Sequence, residues 1–202
     1  MKTLFVGFKG KNNSSFLLLE RLRVKEKLLI DNDKEKSCQQ LRKKLEMLMP
    51  TVVIMFGQKP KLKNKLHLEL LAKAEEDKVS NNCLNAEKQT LFNNKEPKKQ
   101  EIASEEKKEN QIQSYNEKTI GQVCTNFNYE ELKNRLKGKG VMAELSSKAG
   151  NSYCNHIYYY SLAELAKEFK QTKFLFIHLP QMINFENFEK VSSLNWEELV
   201  SI

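Results

Sequence analysis

Two residues 24 positions apart, Cys154 and His178, carry the side chains from which covalent acyl transfer is built. A thiol can attack a carbonyl carbon, and an imidazole can take its proton and return it to the leaving group. Cys154 stands in SSKAGNSYCNHIYYYSLAEL, just past a glycine turn and at the predicted start of an amphipathic helix. Unpaired backbone N–H groups at such a place favour a thiolate and can stabilise an oxyanion. His178 ends an apolar run, KFLFIHLP, stopped by Pro180. A free cysteine is most often a small buried hydrophobe, so the residues by themselves leave packing and catalysis both open. His67 sits beside an alternating segment and is expected at the surface. His156, two residues past Cys154, is expected to point elsewhere on the helix, and neither histidine is given a role.

The elements that must position this pair read as a strand over 141–150, a helix, and a strand over 173–180, a length that predicts a right-handed βαβ crossover. In a parallel pair, the turn leaving the first strand and the end of the second share the sheet edge where open α/β folds bind ligands. Upstream, KTLFVGF (2–8) predicts a buried strand, and NSSFLLLERLRV a helix capped by Asn13 or Ser14. KLLID predicts a weaker strand, CQQLRKKLEMLM a helix halted by Pro50, and TVVIMFG (51–57) a strong β-branched strand. Alternation of this kind predicts an α/β domain on a parallel sheet. KLHLELLAKA (65–74) alternates and admits a strand or a helix start. Residues from about 75 to 118 are polar and repetitive, and are expected to form a partly ordered, mobile surface excursion. A helix is predicted over 128–140, and a last short one in NWEELVSI, capped by Asn195.

Composition narrows the function classes. A chain of 202 residues suits one domain, 1–202, with a sizeable core. The net charge of +8 invites a nucleic-acid role. The lysines, however, are scattered and interleaved with glutamates, with no arginine-rich aromatic stripe, so no nucleic-acid partner is expected. Cys38, Cys83, Cys124 and Cys154 form no CxxC pair, which argues against a disulfide framework and against a metal site, and no cofactor is expected. No stretch approaches a membrane span and MKTLFVGFKGK lacks a cleavage site, so a cytoplasmic protein without a membrane partner is expected.

AGNSYCNHIYYYSL followed by FLFIHLP resembles the paired active-site motifs of the pyroglutamyl peptidase I (pyrrolidone-carboxylate peptidase) family, close to AGxFxCNxxxY and FIHxP. TLFVGF is similar to the family's opening strand and GF motif, NSSFLLLERL to its NPSW-type helix start, VVIMFGQ to its strand ending in GQ, and LHLELLA to its ITIERVA segment. The resemblance implies a three-layer α/β/α sandwich with a mixed, mostly parallel sheet. It also implies a thiol protease that removes N-terminal pyroglutamate from peptides in the cytoplasm, working as a homo-oligomer, commonly a tetramer. Its expected substrate is a peptide with a blocked or pyroglutamyl N-terminus. Carried over, Cys154 is the nucleophile, His178 the base and Glu69 the carboxylate that orients the imidazole. Phe8, Gln58, Tyr153 and Lys78 fall at substrate-binding positions, Lys78 near the place of a family arginine. The loop KGKNNSS departs from the family's PFGG-like segment, leaving the pocket wall altered. A divergent relative without peptidase activity, acting in binding or structure, is the alternative.

Overall fold

In this computed structural model, residues 1–74, 122–150 and 152–201 are described. The excursion expected at 75–118, Lys78 and Cys83 lie outside them. The first half folds as its periodicity predicts. β1 (Thr3–Phe8) leads into α1 (Ser14–Arg21), and Asn13 caps that helix by accepting a hydrogen bond from Ser15 N. β2 (Lys27–Ile30) is followed by α2 (Lys34–Leu48), capped by Asp33 and closed by Met49 in the left-handed region before Pro50. β3 (Val52–Gln58) is buried over six of its seven residues.

β4 (Leu66–Glu69) and β5 (Leu71–Lys73) resolve the ambiguous alternating segment as strand. β6 (Gln122–Cys124) pairs with β5 in a separate two-stranded ribbon. α3 (Tyr129–Gly138) and β7 (Ala143–Ser146) follow. α4 (Tyr153–Tyr160) then runs through a π-helical turn, Ser161–Leu165, into α5 (Ala166–Glu168). β8 (Lys173–Leu179), α6 (Phe188–Ser192) and α7 (Trp196–Leu199) complete the chain, with Asn195 capping α7 as predicted.

The six-stranded sheet has the order β2-β1-β3-β8-β4-β7. β2, β1, β3 and β8 are parallel, whereas β4 runs antiparallel to β8 and parallel to β7. The mixed, mostly parallel sheet therefore holds, but the simple βαβ crossover over 141–180 does not. β4 takes the place beside β8, and β7 is displaced to the sheet edge, antiparallel to β8. Periodicity could not register this, because the strand that intervenes, beginning at Leu66, comes from far upstream of β7, which begins at Ala143.

Alternating side chains divide the core between the two faces of the sheet. Leu18 and Leu19 of α1, Leu132 of α3, Val191 of α6 and Trp196 of α7 pack with Ile54, Phe56, Leu175 and Ile177 on one face. Leu41 and Leu45 of α2, with Cys154, Ile157 and Tyr158 of α4, pack with Val53, Met55, Phe174 and Phe176 on the other. Helices on both faces of one sheet make the three-layer sandwich.

β4 pairs with β8 at only two positions, His67 with His178 and Leu68 with Ile177. Beyond them, side chains satisfy β8: the Tyr129 hydroxyl accepts from Phe176 N at 2.8 Å, and the Thr125 hydroxyl donates to Phe174 O at 3.0 Å. This lets β4 leave the sheet after Glu69 without orphaned backbone groups.

Close approach of α1 to β1 depends on Gly7. A Cβ there would stand 2.9 Å from the Ser15 carbonyl oxygen and 3.2 Å from Leu19. Gly7→Ala is expected to lower stability by roughly 1–3 kcal/mol. Urea unfolding checks this, and an unchanged midpoint would show that α1 can withdraw without loss.

Candidate active site

The register of β3 against β8 sets Gly57 directly beside His178, on the face that also carries Met55 and Phe176. α4 lies over that face. A Cβ on Gly57 would stand 2.7 Å from Cys154 Sγ and 2.8 Å from Phe176 Cζ. The missing side chain of Gly57 is thus the space into which the thiol projects. Cys154, on α4, and His178, on β8, are brought to one face of the sheet, although not by the crossover that their spacing suggested.

Glu69 ends β4 and is fully buried. His67 lies opposite His178, so Glu69, two residues on, points to the same face. His178 Nδ1 and Glu69 Oε1 are 2.7 Å apart. An ionised carboxylate can only accept, so Nδ1 carries a proton and donates it to Glu69. Burial alone would raise the Glu69 carboxyl. The hydrogen bond and charge of His178, the nearby Ser146 hydroxyl and the Lys59 ammonium outweigh it and hold the pKa at about 2, against an ordinary 4.5. Oε2 is sealed from solvent with no well-formed hydrogen bond among the described residues.

Cys154 is buried, and burial drives its thiol up to about 12 despite the opposing pull of the Ser152 side chain, its own backbone N–H and Lys59. Glu69 pushes it in the same upward direction as burial. The helix start was expected to favour a thiolate; burial acts in the opposite sense here. No hydrogen bond joins Sγ to the imidazole among the described residues.

The substrate-binding positions fare differently. Phe8 is buried in the same apolar cluster as Cys154, and its backbone N donates to Ser15 Oγ at 3.0 Å. Gln58 projects to the opposite face, where Oε1 accepts from Ser14 N at 2.8 Å and from the Ser14 hydroxyl at 3.1 Å, tying the end of β3 to the start of α1. Tyr153 is 43% exposed at the first residue of α4. His67, expected at the surface, is partly buried beside the triad. Its Nδ1 is 3.3 Å from Lys59 Nζ, and burial lowers its pKa. A cavity of about 750 Å³ lined by Arg21, Arg23, Glu189 and Trp196 includes none of the triad residues.

Sequence reasoning missed the residues that hold the three in place. Asn155 Oδ1 accepts from Lys73 N at 2.9 Å and Nδ2 donates to Lys73 O at 2.8 Å, fastening α4 to β5. Tyr158, one turn beyond Cys154, donates to the Glu69 carbonyl at 2.8 Å. The adjacency of Asn155 to the cysteine was the signal available for the first. Tyr158 was visible only as one residue of an apolar helix face.

Two outcomes follow from this geometry. Gly57→Ala is expected to displace the thiol, cutting turnover by roughly 100-fold or more while costing only about 1–3 kcal/mol of stability. Unaltered kcat would show that Sγ does not need that space. Because the folded Glu69 pKa lies below its ordinary value, its stabilisation is complete above about pH 4.5 and is lost as pH falls toward 2, about 3 kcal/mol in all. Urea titrations across that window should show the wild type losing more stability than Glu69→Gln, and equal losses would remove Glu69 as the cause.

Comparison with known proteins agrees with this arrangement. A family model described as pyroglutamyl peptidase matches residues 20–201, a span that contains Glu69, Cys154 and His178. No curated protein matches the chain. Among solved structures, pyroglutamyl peptidase I from Bacillus amyloliquefaciens aligns with a TM-score of 0.68 at 18% identity, covering 98% of this chain and 92% of that one. A mutant pyrrolidone carboxyl peptidase from the hyperthermophile Pyrococcus furiosus gives 0.68 at 19% identity, covering 99% and 98%. The enzyme from Fervidobacterium islandicum AW-1 gives 0.60 at 23%, covering 96% and 90%. These likenesses establish a shared fold. With the family match extending over most of its length, the chain belongs to the pyroglutamyl peptidase family of cysteine peptidases.

Proposed function

We propose that Cys154, His178 and Glu69 together cleave the bond that follows an N-terminal pyroglutamyl residue in peptides. The 2.7 Å contact between His178 Nδ1 and the buried Glu69 carboxylate carries the reading, since it fixes the tautomer that leaves Nε2 free to accept the thiol proton. As Sγ attacks the pyroglutamyl carbonyl carbon, its proton passes to Nε2, and Glu69 stabilises the imidazolium. Backbone N–H groups at the start of α4 are placed to receive the developing oxyanion. The imidazolium then protonates the departing amine, and the C–N bond breaks. Water hydrolyses the thioester, with His178 now removing a proton from water and returning it to Sγ.

The proposal extends to a single domain spanning 1–202, a homo-oligomer, tetrameric by family likeness, and a cytoplasmic location. No helix among the described residues is long and apolar enough to cross a membrane. A second reading, a family member without turnover, draws on the burial of the thiol.

A pyroglutamyl amide reporter decides between them. Turnover is expected in the wild type, with a loss of at least about 10⁴-fold in Cys154→Ala and His178→Ala at unchanged far-ultraviolet circular dichroism, and about 10²-fold in Glu69→Gln. An inactive wild type, or a Cys154→Ala protein that keeps its rate, would overturn the assignment.

A further inference from the structure

Lys59 follows β3 immediately, and its side chain reaches back over the sheet to the catalytic carboxylate. Its Nζ lies 3.2 Å from Glu69 Oε1, the same oxygen that His178 Nδ1 engages. A second hydrogen bond, 2.8 Å to the Lys148 carbonyl, grips the loop that delivers the chain from β7 to Cys154. Lys59 itself is anchored, with its backbone N donating to Leu179 O at 2.8 Å. One ammonium thus joins the end of β3, the end of β4 and the loop before the nucleophile.

We propose that Lys59 is a positioning residue for the hydrolysis, holding the Glu69 carboxylate in the orientation that His178 requires and fixing the loop that leads to Cys154. The proposal rests on the triad reading above. A cation shared with His178 on one oxygen keeps that oxygen in the imidazole plane at little reorganisation cost, because the ammonium's remaining bonds are made by fixed groups. The other titratable groups around Glu69 are His178 from β8, His67 from its own strand, Cys154 and Tyr158 from α4 and Tyr129 from α3. Glu144 of β7 faces His67 at 3.7 Å rather than Glu69. Lys59 is the one permanent cation that bonds Glu69 among the described residues.

The test compares Lys59→Met, which keeps the length and removes the charge, with Lys59→Arg, which keeps a cation. For Lys59→Met, kcat on the pyroglutamyl amide is expected to fall roughly tenfold or more with KM within about twofold, and the acid limb of kcat/KM to move up by about one pH unit. The sign follows from charge: with one cation gone from the site, proton uptake there is favoured and moves to higher pH. Lys59→Arg should keep the limb in place and recover part of the rate. An unmoved limb with equal rate loss in both variants would reduce Lys59 to packing and overturn the proposal. Carbon-13 NMR titration of the Glu69 carboxyl in wild type and Lys59→Met requires no turnover. A raised midpoint supports the proposal even if the amide is not hydrolysed, and an unchanged midpoint defeats it even if the triad reading stands.

Discussion

The buried carboxylate of Glu69 is the constraint around which the rest of this structure is arranged. An ionised group with no solvent exposure is costly unless charge and hydrogen bonds replace its water. His178 and Lys59 supply both on a single oxygen. β4 enters the sheet antiparallel beside β8, and from there Glu69 meets Nδ1 of His178.

Holding β4 there demands further accommodation. The strand pairs with β8 for two residues and then departs, and the tyrosines on either side of the sheet fill the gap. Tyr129 serves Phe176 from the α3 face, and Tyr158 serves the Glu69 carbonyl from the α4 face. Because Tyr158 and Cys154 are one turn apart, the same helix that carries Cys154 also fixes the backbone of Glu69. Asn155 adds a third tie, to β5. The face that carries Glu69, Cys154 and His178 is consequently held by side-chain bonds to the backbone of neighbouring elements.

The thiol shows a contrasting economy. Gly57 gives it room, and the apolar cluster around it keeps its proton in place at rest. A neutral thiol spares the apolar cluster a buried charge.

Much of this was legible in the residues. The β-α-β-α-β opening, the caps at Asn13 and Asn195 and the apolar strand at 173–179 all follow from local periodicity and from residue chemistry at turns and strand ends, whereas Cys154 and His178 were set together by a crossover that the chain does not form. Glu69 needed the family likeness, since an acidic residue in an alternating strand looks the same whether it faces water or imidazole. What only the tertiary structure decided was the insertion of β4 between β8 and β7, the roles of Gly57, Tyr158 and Asn155, and the reach of Lys59 to Glu69. The physical reason is common to all of them. Periodicity reports which face of an element is apolar, but strand order and side-chain partners are fixed by long-range packing between segments that no local pattern connects.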